Sequence, residues 1–411
     1  MTTENTLVPM YVARQPILDD SSRVHGYELL YRDRADATDC ADGSDRATAR
    51  VLTDAILSLG LETLTSGKPA FVNFTRQLIL SDAASVLPAR SLVIEIEHET
   101  PADDEVLDAC TRLRADGYAL TLDNFVEGDH AEALLPLATF VKVNVLAVST
   151  ERIAAIAKRL APHQKLIAMR VESAEAHDAA KAAGCRLFQG FYYCAPAMRQ
   201  TAVISGRQLA YLNLIAALHQ PNIKIADLEE IIKRDVSLTY RTLRSVNSAA
   251  FGGAREITSI RQALVLLGID QIRRWATVWA LAGSGSASAP EAMSLALMRA
   301  RSCEVVGTAL AGPETGATMF LIGLCSLLDV ILNRPLESIL AEVNFPTEVK
   351  EALLGEPTLG RKVLDAVIAY ERADWDLASA TASSIGLPED LLINSYREAL
   401  PWIHTLSQTT A

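Results

Sequence analysis

The stretch ALTLDNF, residues 119–125, decides how the first half of this chain is read. Five residues of strand-like sequence end on Asp123, and Asn124 follows. In a (β/α)-barrel the C-terminal strand ends carry the site. Two carboxylates in succession there would let a pair of cations sit side by side, and here the second position is an amide.

Short β-branched runs of the same kind lie on both sides: MYVARQPIL, VHGYELLYR, AFVNFT, SLVIEIE, FVKVNV, KLIAMRV and LFQGFYY. Between most of them stand stretches with helical spacing, such as DRATARVLTDAILSLGLETL and DDEVLDACTRLRADG. Alternating strands and helices make βα units and a mainly parallel sheet. Eight strands in about 190 residues point to a closed barrel rather than an open sheet. The link DDSSR between the first two runs is of hairpin length, too short for a parallel crossover, so one of the two is expected to run antiparallel to the rest.

After APAMRQ, residues 195–200, the pattern changes. From about residue 205 nearly every periodic segment is helical, including IADLEEIIKRD, SIRQALVLLG and GRKVLDAVIAYERADW. Asp227 and Ser259 stand where helix N-caps belong, Gly268 and Gly283 near helix ends, and SGSASAP at 284–290 reads as a loop. The expected organisation is an α/β barrel over 1–199 and an all-α domain over 200–411.

Composition narrows the classes. Half of the 411 residues are hydrophobic and 21% are charged, as in a globular protein with ample core material. The net charge of −12 argues against broad attraction to nucleic acid or to an anionic membrane. Six cysteines, Cys40, Cys110, Cys185, Cys194, Cys303 and Cys325, are scattered without a CxxC pair and read as buried thiols of a reducing compartment. The start MTTENTLVPMYVARQP lacks the charged-then-apolar pattern of a signal peptide. The apolar run ATMFLIGLCSLLDVIL is shorter than the roughly 20 residues of a membrane span. A soluble, cytoplasmic protein is expected.

Polar residues recur at the strand ends: Glu28, Asn73, Glu95, Glu97, Asp123, Lys142, Glu172 and Gln189. Carboxylates and an amide converging from separate strands make an oxygen-rich cage suited to Mg²⁺ or Mn²⁺, metals that hold a phosphodiester and activate water. Taken singly, each polar residue could equally face solvent.

The opening ARQPILDDSSRVHGYELLYR, with Glu28-Leu29-Leu30-Tyr31-Arg32, resembles the start of an EAL domain, the cyclic-di-GMP phosphodiesterase family. FVNF, IEIEHE, TLDNF, FVKVNV, LIAMRVE and FQGFYYCAP follow in family order over roughly residues 10–197. The resemblance implies Glu28, Asn73, Glu95 and Asp123 as metal ligands. It implies Lys142, Glu172 and Gln189 in the surrounding active-site set, and Gln15 and Arg32 touching the dinucleotide. The departures from the family pattern are Asn124 for the second of paired aspartates, Val126 for a glycine, Asn144 for an aspartate, Met169 for a glutamate, Arg170 for a glycine and Ala195 for a lysine. The implied outcome is a degenerate barrel that keeps a single Mg²⁺ or Mn²⁺ site and loses the pair.

The helical half resembles an HDOD domain, in DVSLTYRTLRSVNS and SIRQALVLLGIDQIRRW above all. It contains no histidine between His219 and His404, and Ser326-Leu327 stands where a His-Asp pair would fall, so metal hydrolysis is not expected there. Lys233, Arg234, Arg241, Arg244, Arg255, Arg261, Arg273 and Arg274 read as a solvated face balanced by acids such as Asp227, Glu229, Glu230 and Asp235. Trp275 and Trp279, four apart, read as core packing, and His25 and His98 as structural residues near the barrel mouth.

The whole chain thus resembles the EAL–HDOD signalling proteins of bacteria. The expected function is non-catalytic signalling in the cyclic-di-GMP network, with protein partners on the helical half and cyclic-di-GMP as a ligand of the barrel. An active phosphodiesterase is the alternative, kept by the retained ligands, and a nucleic-acid-binding regulator is the third, disfavoured by charge. A homodimer is left open.

Overall fold

The structure is a computed structural model. It describes residues 10–33, 60–81, 83–128, 130–190, 223–233, 259–268, 289–332, 334–343 and 345–408, with isolated residues between 212 and 272. Outside the described residues fall Cys40, Cys194, the stretch 195–200, the loop residues 284–288, Gly283, Trp275, Trp279, and Arg234, Arg241, Arg244, Arg255, Arg273 and Arg274.

Eight strands close a barrel in sequence order. They are β1 (Met10–Asp19), β2 (Val24–Asp33), β3 (Ala70–Phe74), β4 (Leu92–Ile96), β5 (Ala119–Leu122), β6 (Phe140–Asn144), β7 (Lys165–Met169) and β8 (Leu187–Phe188). β1 is antiparallel to both its neighbours, β2 and β8, and every other pair is parallel. The short β1–β2 link thus has its expected consequence, and the reversed strand is β1.

Helices return the chain between parallel strands: α1 (Leu61–Thr65), α2 (Arg76–Leu80), α3 (Asp104–Ala115), α4 (Thr150–Arg159) and α5 (Ala174–Ala182). α3 shows why. The Asp103 carboxylate accepts from the Val106 N–H at 3.0 Å, acids open the first turn, and Arg112 and Arg114 lie in the last. Val106, Ala109 and Cys110 fall on one face and are buried.

The barrel interior is layered by the two-residue period of a strand. Ile17, Phe71, Val93, Phe140, Ile167 and Leu187, with Ala119 against them, fill the lower layer. Two residues towards the mouth on each of these strands stand Gln15, Asn73, Glu95, Thr121, Lys142, Met169 and Gln189. The side chains that face inward above the hydrophobic plug are therefore polar on every strand except β7. The His25 ring packs edge-on to Phe140, 5.5 Å between centroids, so it lies at the plugged end. The expectation that His25 sits near the mouth is corrected: it opens β2, and the parallel strands begin at the plug.

By contacts the chain forms two compact units, residues 1–195 with 366–411, and residues 196–365. Residues 366–411, read with the helical half, pack with the barrel. The reason is visible at β1, whose pairing with β8 covers just Leu18 and Asp19. Beyond them its outer edge would expose backbone donors. The C-terminal helices α12 (Leu359–Glu371), α13 (Trp375–Ser384) and α14 (Glu389–Gln408) supply the cover. The buried Tyr370 hydroxyl accepts from the Val12 N–H at 3.1 Å, its ring meets Trp375 and Tyr396, and α14 packs on β1 and α1.

In the second unit the described helices are α6 (Ile225–Lys233), α7 (Ala289–Ala311), α8 (Pro313–Cys325), α9 (Leu328–Leu332), α10 (Leu336–Glu342), α11 (Thr347–Leu353) and the first part of α12. α7 and α8 pack closely where Gly323 faces the α7 backbone; a Cβ there would lie 2.5 Å from the Arg299 carbonyl. Ser259 precedes the helical residues 260–268, as expected. Asp227 is not the cap of α6 but lies inside its first turn, its carboxylate accepting from the Lys224 N–H at 3.4 Å. Cys110, Cys185, Cys303 and Cys325 are buried thiols outside any disulfide. Among the described residues no helix is long and apolar enough to cross a membrane.

Tyr370 tests the C-terminal cover. Tyr370→Ala is expected to cost about 3–5 kcal/mol, the range for deleting a large buried aromatic. Tyr370→Phe is expected to cost about 1–3 kcal/mol by leaving the Val12 N–H unpaired. Denaturant unfolding of the full chain measures both.

Candidate active site at the barrel mouth

Lys142 is the centre of the site. It stands in the polar layer on β6 with its side chain wholly buried. Its Nζ lies 2.7 Å from Glu28 Oε2 on β2, 2.6 Å from Glu95 Oε1 on β4 and 4.0 Å from Asp123 Oδ1 after β5. The Glu95 contact is close but lacks hydrogen-bond alignment. Gln189, after β8, donates from Nε2 to Glu28 Oε2 at 2.7 Å and to Gln15 Oε1 at 3.0 Å. Six strands, β1, β2, β4, β5, β6 and β8, are tied through these groups.

Burial opposes every charge here, and the partners decide the outcome. Burial would strip the Lys142 proton, but Glu28, Glu95 and Asp123 together hold its pKa above the ordinary value. Burial would raise Glu28, and Lys142 with the Gln189 hydrogen bond brings it below. For Glu95 burial wins, reinforced by Glu28 and Asp123, and the carboxyl is pushed well up. Asp123 is also raised, by burial first, with Lys142 opposing.

The expected metal ligands are brought together. Asn73 and Glu95 are register partners on β3 and β4, and Glu95 is the partner of Thr121 on β5. Asn73 Oδ1, both Glu95 carboxylate oxygens and Thr121 Oγ1 are buried without hydrogen-bond partners. Hard oxygens of this kind suit an Mg²⁺- or Mn²⁺-like ion, although Glu95 Oε1 already lies against the Lys142 ammonium. Glu28, Asn73, Glu95 and Asp123 would hold it, and it would supply Lewis-acid polarisation of a phosphate oxygen. Among the described residues no three His, Cys, Asp or Glu gather as tightly as a metal centre requires; the carboxylates are arranged about the Lys142 ammonium instead. Thr121, in the opening stretch, is a member of the layer that the sequence reading passed over.

The remaining wall of the mouth is Asn124, Asn144, Met169, Arg170 and Glu172, beside Gln189 and Gly190, around a cavity of about 470 Å³. Asn144 Oδ1 is already taken by the Leu146 N–H at 3.0 Å. Met169 offers a thioether, a weak acceptor. Gly190 is required by close approach: a Cβ there would meet the Val171 carbonyl oxygen at 2.2 Å. Glu172 is exposed and lines the same cavity. Arg32 lies on β2, and its side chain falls outside the described residues.

Arg170 and Arg372 also line the mouth, and the sequence reading gave neither a role there. Arg170 has φ 56°, left-handed for a residue with a Cβ, at a cost of about 1–2 kcal/mol. Its neighbours impose the conformation: Met169 O accepts from Val145 N–H at 3.2 Å, and Val171 N–H donates to Gln189 O at 3.0 Å. Arg372 follows α12, two residues beyond Tyr370.

In the other unit, Ser326 Oγ donates to Gly323 O at 2.7 Å and accepts from the buried Arg299 at 3.2 Å. The place expected for a His-Asp pair holds a hydroxyl serving backbone and guanidinium.

The family model of the EAL domain matches residues 38–196, and that of the HDOD domain residues 209–329. "Uncharacterized protein YuxH" of Bacillus subtilis is 33% identical over 408 residues, 97% of this chain and 98% of its own length. "Cyclic di-GMP phosphodiesterase CdgJ" of Vibrio cholerae is 30% identical over 410 residues, 98% of this chain and 95% of its own. The chain belongs to the EAL–HDOD family. Among solved structures, Klebsiella pneumoniae BlrP1 in its pH 9.0 manganese/cy-diGMP complex aligns at a TM-score of 0.39 and 21% identity, covering 46% of this chain and 57% of that one. The EAL match of this EAL–HDOD chain begins after β2, so Glu28 and Gln15 lie ahead of the matched stretch and enter the site through barrel closure.

Two variants test the electrostatics in chelator-treated protein. Lys142→Met is expected to cost about 3–5 kcal/mol, because it strands buried carboxylates. Glu95→Gln should act oppositely. A buried acid whose folded pKa is raised stabilises below its ordinary value of 4.5 and loses that contribution as pH rises through the folded pKa. The gain from Glu95→Gln should therefore grow from pH 4.5 towards neutrality, as read by denaturant midpoints across pH.

Proposed function

We propose that this EAL–HDOD protein is a non-catalytic member of the cyclic-di-GMP network. Its barrel binds the dinucleotide, with Gln15 and Arg32 in contact with it and Lys142, Glu172 and Gln189 as a vestigial catalytic set. Its helical half docks signalling proteins. The observation that carries the reading is the composition of the mouth: Asn124, Asn144 and Met169 line it, at positions where the resemblance to the EAL domain calls for carboxylates. Two cations a few ångströms apart repel strongly, and carboxylates between them must offset that repulsion. An amide, an amide already committed to Leu146 N–H and a thioether do not.

A second reading, an active phosphodiesterase, is favoured by the name of the Vibrio cholerae relative and by the retained cluster of Glu28, Asn73, Glu95, Asp123 and Lys142. Turnover separates the two. Full-length protein with excess Mg²⁺ or Mn²⁺ is expected to leave cyclic-di-GMP intact in a chromatographic assay. Asn124→Asp alone should stay inactive, and adding Asn144→Asp and Met169→Glu gives activity its best chance. Linearisation by the unmodified protein, abolished by Glu28→Ala, would establish the second reading.

A further inference from the structure

We infer that Arg170 and Arg372 form an anion cleft at the barrel mouth that grips a phosphate of the ligand without a metal ion. The inference rests on the proposed nucleotide-binding barrel and names the groups that would do the binding there. Both arginines line one cavity of about 470 Å³, within the size range of small-ligand sites. The neighbouring wall is Asn124, Asn144 and Met169, none of which repels an anion, with the exposed carboxylate of Glu172 beside them, one negative charge against two guanidinium groups. The acids on the other side are offset by Lys142, which holds Glu28, Glu95 and Asp123 around one ammonium. A phosphate approaching the arginine side therefore meets two guanidinium groups, neutral groups and the single carboxylate of Glu172. Planar guanidinium forks suit phosphate oxygens by paired hydrogen bonds.

Both side chains start from pinned backbone. Arg170 keeps a left-handed conformation between two backbone hydrogen bonds. A strained residue at a cavity is where a functional demand is sought first. Arg372 leaves the end of α12, where Ala373 is left-handed and Asp374 N–H closes on Ala369 O at 2.9 Å. Tyr370, buried two residues earlier, anchors that turn to β1. The two charges come from segments far apart in sequence and meet in one unit through the C-terminal cover of the barrel.

Calorimetry on the full-length chain in EDTA tests the cleft, with cyclic-di-GMP and inorganic pyrophosphate as separate probes. Binding is expected without divalent ions. Arg170→Gly and Arg372→Gln should each weaken it by about tenfold to a hundredfold, the loss of a charge-assisted contact. Arg170→Gly also relieves the left-handed strain, so its melting temperature should rise while its affinity falls. A merely structural arginine would not separate the two readouts. Arg170→Lys should retain part of the affinity. Pyrophosphate binding that needs both arginines, with no cyclic-di-GMP binding, would uphold the cleft and overturn the nucleotide reading. Turnover of cyclic-di-GMP, with KM raised in both variants, would uphold the cleft and overturn the non-catalytic reading. Wild-type affinity in both variants, or binding of either probe solely with Mg²⁺ or Mn²⁺, would overturn the cleft.

Discussion

The buried ammonium of Lys142 is the constraint on which the barrel depends. A charge removed from water is tolerated when partners surround it, and here the partners come from β2, β4 and the end of β5. Each strand must hold its register for the cluster to close. A slip of one residue would turn Lys142 outward and bring an apolar neighbour in. The hydrophobic plug below and the polar layer above are thus one pattern, two residues out of step, and the cluster makes that register specific.

The same cluster shapes what the mouth can bind. Any single cation placed among Glu28, Asn73, Glu95 and Asp123 shares its oxygens with Lys142. The opposite wall carries amides, a thioether, two guanidinium groups and the carboxylate of Glu172. On one side the acids are grouped about one ammonium, and on the other two guanidinium groups outnumber one carboxylate. On the function proposed above, that arrangement suits holding a phosphate-bearing ligand rather than activating water against it.

Much of this was legible in the residues. The eight strands, the hairpin reversal and the converging Glu28, Asn73, Glu95, Asp123, Lys142 and Gln189 follow from strand period and from the rule that barrel sites lie at strand ends. Thr121 was missed because a lone threonine in a strand reads as β-propensity, and just its register beside Glu95 reveals an orphaned hydroxyl. Arg170 was seen as a departure from a glycine, with no hint that its backbone stays left-handed. Arg372 was beyond reach, because helical periodicity says nothing about which unit a helix covers. The unpaired edge of β1, which calls for Tyr370 and brings Arg372 with it, exists just in three dimensions.

The proposed function turns on whether this mouth accommodates one divalent ion or two. Crystals of the full-length protein soaked with manganese and cyclic-di-GMP would test it most directly, through anomalous scattering at the manganese edge. The account predicts at most one peak, bounded by Glu28, Asn73, Glu95 and Asp123, with no metal against Asn124 or Met169. Two peaks a few ångströms apart at the mouth would contradict it.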